Sequence, residues 1–206
     1  MDEVTPQQIR IRDAVPEDAL TLAQLTIIAG HGLHEILYGG LIAGKSTAEI
    51  IAERRIRNPA NFSALAWWRV AMDGQGQTLG ALNSFPHAIF ERSTADPLLT
   101  GKRLAVAGSI TELEASATGT YYINIIAVTP ERRGGGIGAA LMAEGERLAL
   151  HSRFSRMALS TFEADTRLLE FYRQHGFEIS DTRPIEPHPG LDYGGNWALM
   201  TRTLNN

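Results

Sequence analysis

The sequence predicts a mixed α/β domain. Three observations carry this reading: two β-rich runs around the turn signal Asp73-Gly74-Gln75-Gly76, an apolar run over Thr120 to Val128, and alternating strand and helix patterns after it. The element order reads αα, ββ, then βαβαβ(β), with a short strand ahead of it. A chain of 206 residues fits one domain over 1–206, with residues 1–7 expected to be flexible.

Each element has its own reason. Ile9 and Ile11 alternate with Arg10 and Arg12, which suggests a short first strand. Asp13 and Pro16 set up a helix start, and Glu17 and Asp18 suit its positive end. Leu20 to Ile28 then continue at helical spacing until Gly30 and Gly32. A second helix opens near Ser46 or Thr47 and closes at Asn58-Pro59. Ala64 to Met72 and Thr78 to Phe85 form a hairpin. From Phe85-Pro86 to about Gly119 no period is visible, so a long irregular segment is expected there, functional or mobile in character. Thr120 to Val128 is apolar on both faces, as a central strand should be. A helix follows from about Ile137 to Leu150, then a strand over Met157 to Phe162. Another helix runs from Arg167 to Gln174 and is stopped by Gly176. Phe177 to Ser180 and Trp197 to Thr203 complete the strands, joined by a Pro- and Gly-rich link over Pro184 to Gly195.

Composition excludes several function classes. Hydrophobic residues make up 44% and charged residues 20%, which is the balance of a globular chain. A net charge of -4 argues against a broad electrostatic grip on nucleic acid. With 0 Cys there are no disulfides, thiolate metal sites or acyl-cysteine intermediates, so any acyl transfer would be direct or use a Ser. No run of 18 apolar residues is present, and the acidic start Met1-Asp2-Glu3 is unlike a secretory signal. The expectation is a cytoplasmic protein with no membrane and no nucleic-acid partner.

Glycine beside a helix start is the informative feature, because unpaired N–H groups there favour anions. Three readings compete. Gly39-Gly40-Leu41-Ile42-Ala43-Gly44-Lys45-Ser46 fits the P-loop pattern GxxxxGK[ST] but lacks the preceding buried strand; the plain alternative is a helix–helix connection capped by Ser46. Gly134 to Ala139 fits a GxGxxA dinucleotide fingerprint with Glu163 as its ribose acid, but Thr129 to Arg133 separate it from the strand end. The third reading takes Arg133-Gly134-Gly135-Gly136-Ile137-Gly138 after Ala127-Val128-Thr129-Pro130 as R-x-x-G-x-G following a hydrophobic strand.

This third pattern resembles the acetyl-CoA loop of the GNAT N-acetyltransferase superfamily. Downstream, Asp165 to Phe177 resembles that family's N-x-x-A-x-x-x-Y-x-x-x-G-F stretch, with Asp165 in place of Asn and Leu168 in place of Ala. The two motifs cover Thr120 to Phe177. The resemblance implies a GNAT-like mixed, mostly antiparallel sheet of about seven strands flanked by helices and splayed between the fourth and fifth strands. It implies acetyl-CoA as co-substrate, no metal, and direct attack of a primary amine on the thioester. The amine would belong to a small molecule or a peptide. A non-catalytic acyl-CoA-binding or sensor module of the same fold is the alternative. Oligomeric state is left open, a homodimer included.

The same resemblance assigns roles. Main-chain groups of Ile126, Ala127 and Val128 would meet the pantetheine arm, joined by Asp165. The N–H groups of Arg133, Gly134, Gly135, Gly136, Ile137 and Gly138 would take the pyrophosphate, and the N–H of Val128 or Ala127 would polarise the carbonyl. Tyr172 is the general-acid candidate. An alkyl amine with a pKa near ~10.4 is mostly charged at pH 7, so a base is needed. Glu112 and Glu114 lie just before the central strand, and Tyr122 and Asn124 share one of its faces; these are the base and amine-holding candidates. His87 and His188 are loop alternatives. His31 and His34 form an H-x-x-H pair with no evident third metal ligand. Gly30 to Lys45 and Pro86 to Ala117 are the expected acceptor walls.

Overall fold

A computed structural model describes residues 9–93 and 96–205. The segment 1–7 lies outside the described residues. The chain forms β1 (Arg10–Asp13), α1 (Ala19–Ala29), α2 (Leu33–Tyr38), α3 (Thr47–Ile51), β2 (Trp68–Met72), β3 (Thr78–Pro86), α4 (Ala88–Arg92) and α5 (Gly101–Ala115). It continues through β4 (Tyr121–Val128), α6 (Ile137–His151), β5 (Arg156–Phe162), α7 (Thr166–Gln174), β6 (Glu178–Pro184) and β7 (Asn196–Thr203). A single π-helical turn, Ala52–Ile56, extends α3.

The strands make one seven-stranded sheet in the order β1-β2-β3-β4-β5-β7-β6. Every neighbouring pair is antiparallel except β4 and β5. That parallel pair is short. Tyr121, Tyr122 and Ile123 pair with Met157, Ala158 and Leu159, and the strands then part. The predicted splay between the fourth and fifth strands is therefore present.

Two apolar layers clamp the sheet. On one face α1, α2, α3 and α5 cover Trp68, Phe85, Tyr122 and Trp197. On the other, α6 and α7 cover Leu82, Ile123, Met157 and Met200. Local signals explain most boundaries. Ser46 caps α3 through a capping box with Glu49, which settles Gly39–Ser46 as a helix–helix connection. Lys45 is paired with Glu53 rather than held ready for a phosphate. Gly176, at φ +79, ends α7 in the left-handed conformation that glycine tolerates.

The 86–119 segment needs correction. It holds α4 and the fifteen-residue helix α5 in place of a long irregular loop. Only Val106 and Leu113 of α5 are fully buried, so its apolar stripe is too sparse to announce a helix. β6 also runs further than expected, to Pro184, which an edge strand accepts because its unpaired side needs no N–H.

Candidate active site

The parting of β4 and β5 opens a cavity of about 800 Å³ that passes from one face of the sheet to the other. Its walls come from three sources. The end of α1, α2 and the π-helical turn form one side, and α5 forms a second. The third is made by β4, the glycine corner and α7.

The glycine corner shows how sequence makes an anion cradle. Gly134 and Gly136 adopt φ +80 and +78, and a Cβ at either would meet nothing within 4 Å. These glycines therefore serve backbone shape rather than close packing, since left-handed backbone costs other residues roughly 1–2 kcal/mol. Among the described residues, no N–H from Gly134 to Ala139 donates to a protein acceptor; the first to do so is that of Ala140, to Gly136. A row of free donors thus opens the fifteen-residue helix α6, at the positive end of its dipole. The exposed Arg133 adds a guanidinium whose Nε lies 3.4 Å from the Val128 carbonyl. These features fit a diphosphate. Gly134, Gly136, Ile137, Gly138 and Arg133 line the cavity, as does Arg132, whereas Gly135 turns away from it.

Main-chain direction along β4 sorts the three pantetheine candidates. Thr129 N–H donates to the Leu79 carbonyl, and Ala127 is registered opposite Ala81. By the two-residue period, Ala127 directs its N–H and C=O at β3, while Ile126 and Val128 direct theirs into the splay. Ala127 lines the cavity but has its main-chain groups engaged inside the sheet, whereas the main-chain groups of Ile126 and Val128 face the opening. A bulge opposite Asn83/Ser84 inserts Asn124 as an extra residue on β4. It places the Asn124 side chain on the cavity wall, where Nδ2 donates to Asn83 Oδ1 at 2.8 Å.

Glu114 sits in the last turn of α5 and faces the cavity. The Tyr122 hydroxyl donates to its Oε1 at 2.9 Å. Burial raises the Glu114 carboxyl to about 7, against the opposing pulls of Tyr122 and Arg55. Burial first, then the nearby Glu114 charge, push Tyr122 far up, so that its O–H stays a donor. Glu112 lies on the exposed side of α5 and off the cavity wall. The two glutamates differ only in which face of one helix carries them.

Tyr172 is buried on the cavity wall, and burial, then the charge of Asp165, raise its phenol well above the ordinary value. It remains protonated at any physiological pH. Asp165 caps α7 by accepting from Leu168 N–H at 3.0 Å, and its other oxygen lies 3.8 Å from His31 Nε2. The carboxylate is thus occupied with fixing the helix that presents Tyr172. His87 bonds through Nε2 to the Glu114 carbonyl at 2.8 Å and holds the end of α5. His188 accepts from Gly190 N–H in an exposed turn. His34 is buried on the cavity wall, kept neutral by burial and then by Arg55, which together lower it to about 3. Among the described residues, no three metal-capable side chains converge. Glu163, the would-be ribose acid, is bonded to Asn196 at 2.8 Å.

Sequence reading missed Arg55 entirely. It stands in the π-helical turn, on the cavity wall and 7% exposed. No motif marks it, and the burial of one arginine in an Arg54-Arg55 pair has no sequence signature.

Residues 86–177 match the family model described as the acetyltransferase (GNAT) family. No match is found among curated protein sequences. Solved structures agree on the fold. An N-acetyltransferase from Staphylococcus aureus Mu50 superposes with a TM-score of 0.65 at 16% identity, over 93% of this chain and 99% of that one. A GCN5-related N-acetyltransferase from Kribbella flavida does so with 0.59 at 20% identity, over 97% and 100%. The PaiA N-acetyltransferase from Thermoplasma acidophilum, solved in complex with coenzyme A, gives 0.53 at 15% identity, over 95% and 99%. The match over residues 86–177 spans less than half of the chain and takes in the splayed strand β4 and the free-donor glycine corner, and the solved acetyltransferases share this fold over nearly the whole of it.

Proposed function

We propose that this protein is a single-domain N-acetyltransferase that moves an acetyl group from acetyl-CoA directly to a primary amine. The observation that carries this reading is the meeting, in one cavity, of an anion cradle, a protonated phenol and a carboxyl poised near neutrality. Acetyl-CoA supplies the acetyl thioester.

The chain's own residues do the rest. The N–H groups from Gly134 to Gly138 and the Arg133 guanidinium hold the diphosphate. Ile126 and Val128 orient the pantetheine arm through main-chain groups, and Val128 N–H polarises the thioester carbonyl. Glu114 Oε2 takes a proton from the acceptor ammonium, directly or through one water, which frees the amine to attack. A base works best when its pKa lies near the operating pH, and about 7 meets that condition. Tyr122 fixes the carboxylate's orientation. The Tyr172 hydroxyl gives its proton to the departing thiolate and is restored by the second proton that the attacking nitrogen sheds as the amide forms, directly or through water. Asn124 lines the path between the two proton-handling groups.

Acetyl-CoA turnover with a panel of primary amines, read by thiol release and mass spectrometry, tests this reading. The expected result is an acetylated amine and stoichiometric free CoA. Tight CoA binding with no acceptor acetylated would favour the sensor alternative. Absence of CoA binding would remove both.

A further inference from the structure

Arg55 poses a problem that acetyl transfer alone does not answer. Its guanidinium has five N–H donors, yet among the described residues it makes one side-chain bond, from Nη2 to Ser63 Oγ at 3.0 Å. No carboxylate of the described residues lies within ion-pairing distance of it. Its neighbour Arg54 shows what the fold does with a structural arginine: Nε and Nη2 each reach Asp96 at 2.6 Å. Arg55 instead lies 5.0 Å from the Phe62 ring centre and 5.8 Å from that of Tyr38, so two aromatic faces hold the plane and leave donors unused. Buried cations are normally paired, because an unpaired one loses its hydration for nothing. Beside it His34 is buried with Nδ1 unpartnered. The same wall carries apolar Leu33, Leu37 and Ile110 together with polar Asn61, Thr111 and Asp96, whose carboxylate is already taken by Arg54.

We propose that Arg55 receives a carboxylate of the acceptor, so that the amine acetylated here belongs to an amino acid with an apolar frame. This rests on the transferase reading above. Arg55 takes the carboxylate and Glu114 takes the ammonium proton, so the two charged ends of one substrate meet two oppositely charged groups on the same cavity. Leu33, Leu37 and Ile110, on the same cavity wall, face the apolar part. Arg55 and Glu114 line the same cavity of about 800 Å³ and make no ion pair with each other.

The test compares matched acceptors in the wild-type protein with saturating acetyl-CoA: L-leucine against L-leucinamide and 3-methylbutylamine, and 6-aminohexanoate against hexylamine. The expected result is that at least one carboxylate-bearing acceptor exceeds its neutral partners about tenfold or more in kcat/KM, the scale of a charge-assisted contact. Arg55→Met also removes a charge that favours ionised Glu114, so the readout is the ratio between matched acceptors: kcat/KM for the carboxylate-bearing acceptor should fall about tenfold or more relative to its neutral partners, through KM, with CoA binding by calorimetry unchanged; Arg55→Lys should restore part of the preference. Equal or better use of the neutral amines by the wild type overturns the proposal, as does an Arg55→Met variant that lowers all acceptors alike. If Arg55→Met does not fold, the wild-type comparison decides alone. Bound CoA with none of these acceptors acetylated rejects the amino-acid assignment. Absent CoA binding rejects the transferase reading beneath it.

Discussion

Replacing Glu114 by glutamine separates catalysis from folding in one variant. The change keeps shape and keeps an oxygen that can accept from Tyr122 at the present 2.9 Å. It removes the ability to take a proton. Loss of a positioned base typically lowers rates by about 10²–10⁴-fold, so kcat/KM at pH 8 should fall within that range. The wild-type rate should rise with pH along a limb centred near 7, where the buried carboxyl ionises, and Glu114→Gln should erase the limb. Stability should move the other way. The folded carboxyl holds its proton to about 7, above the ordinary 4.5, so the folded state binds more protons between those values and stability falls as pH rises through that window. At about 1.4 kcal/mol per pH unit the ceiling is about 3 kcal/mol, and the solvent reaching Glu114 through the cavity reduces it to about 1–2 kcal/mol. Glu114→Gln should therefore be more stable than the wild type by that amount at pH 8 and equal to it near pH 4, as read from urea unfolding at both pH values. A variant with full turnover, an unmoved acid limb, or lower stability at pH 8 would refute the assignment of Glu114 as a buried base.

Three further outcomes follow from the same geometry. Tyr122→Phe removes the donor that favours the ionised carboxylate, so the acid limb of kcat/KM should move to higher pH; an unmoved limb would show that the Glu114 bond does not tune the base. Tyr172→Phe should lower kcat about ten- to hundredfold at constant KM for acetyl-CoA, and steady-state kinetics with a single amine would show an unchanged kcat if the phenol only packs. Gly136→Ala forces a Cβ into backbone at φ +78 and should cost about 1 kcal/mol in thermal unfolding while raising the KM for acetyl-CoA several-fold; an unchanged KM would place the diphosphate elsewhere.

How much of this was legible beforehand depends on what each residue is used for. The strand at Thr120 to Val128, the glycine corner and the Asp165–Phe177 motif were readable because each obeys a local rule: apolar continuity, φ > 0 at a helix start, a capped helix with a glycine stop. Helix α5 obeys no such rule. It divides its length between two environments. Val106 and Leu113 go into the core, while Leu104, Ala107, Thr111 and Glu114 recur at three- and four-residue spacing along the cavity wall. A stripe facing an open cavity need not be apolar, so the period of hydrophobicity fails where the helix lines the cavity. The period of position survives, and it separates Glu114 from Glu112, a distinction that a loop reading could not make. Arg55 lies beyond either rule, because its burial is imposed by Phe62, Tyr38 and Ser63 from distant parts of the chain. The glycine-corner side of the cavity consists largely of backbone and was readable in glycines. The opposite side is made of side chains from α2, the π-helical turn and α5, and only tertiary packing brings them to one place.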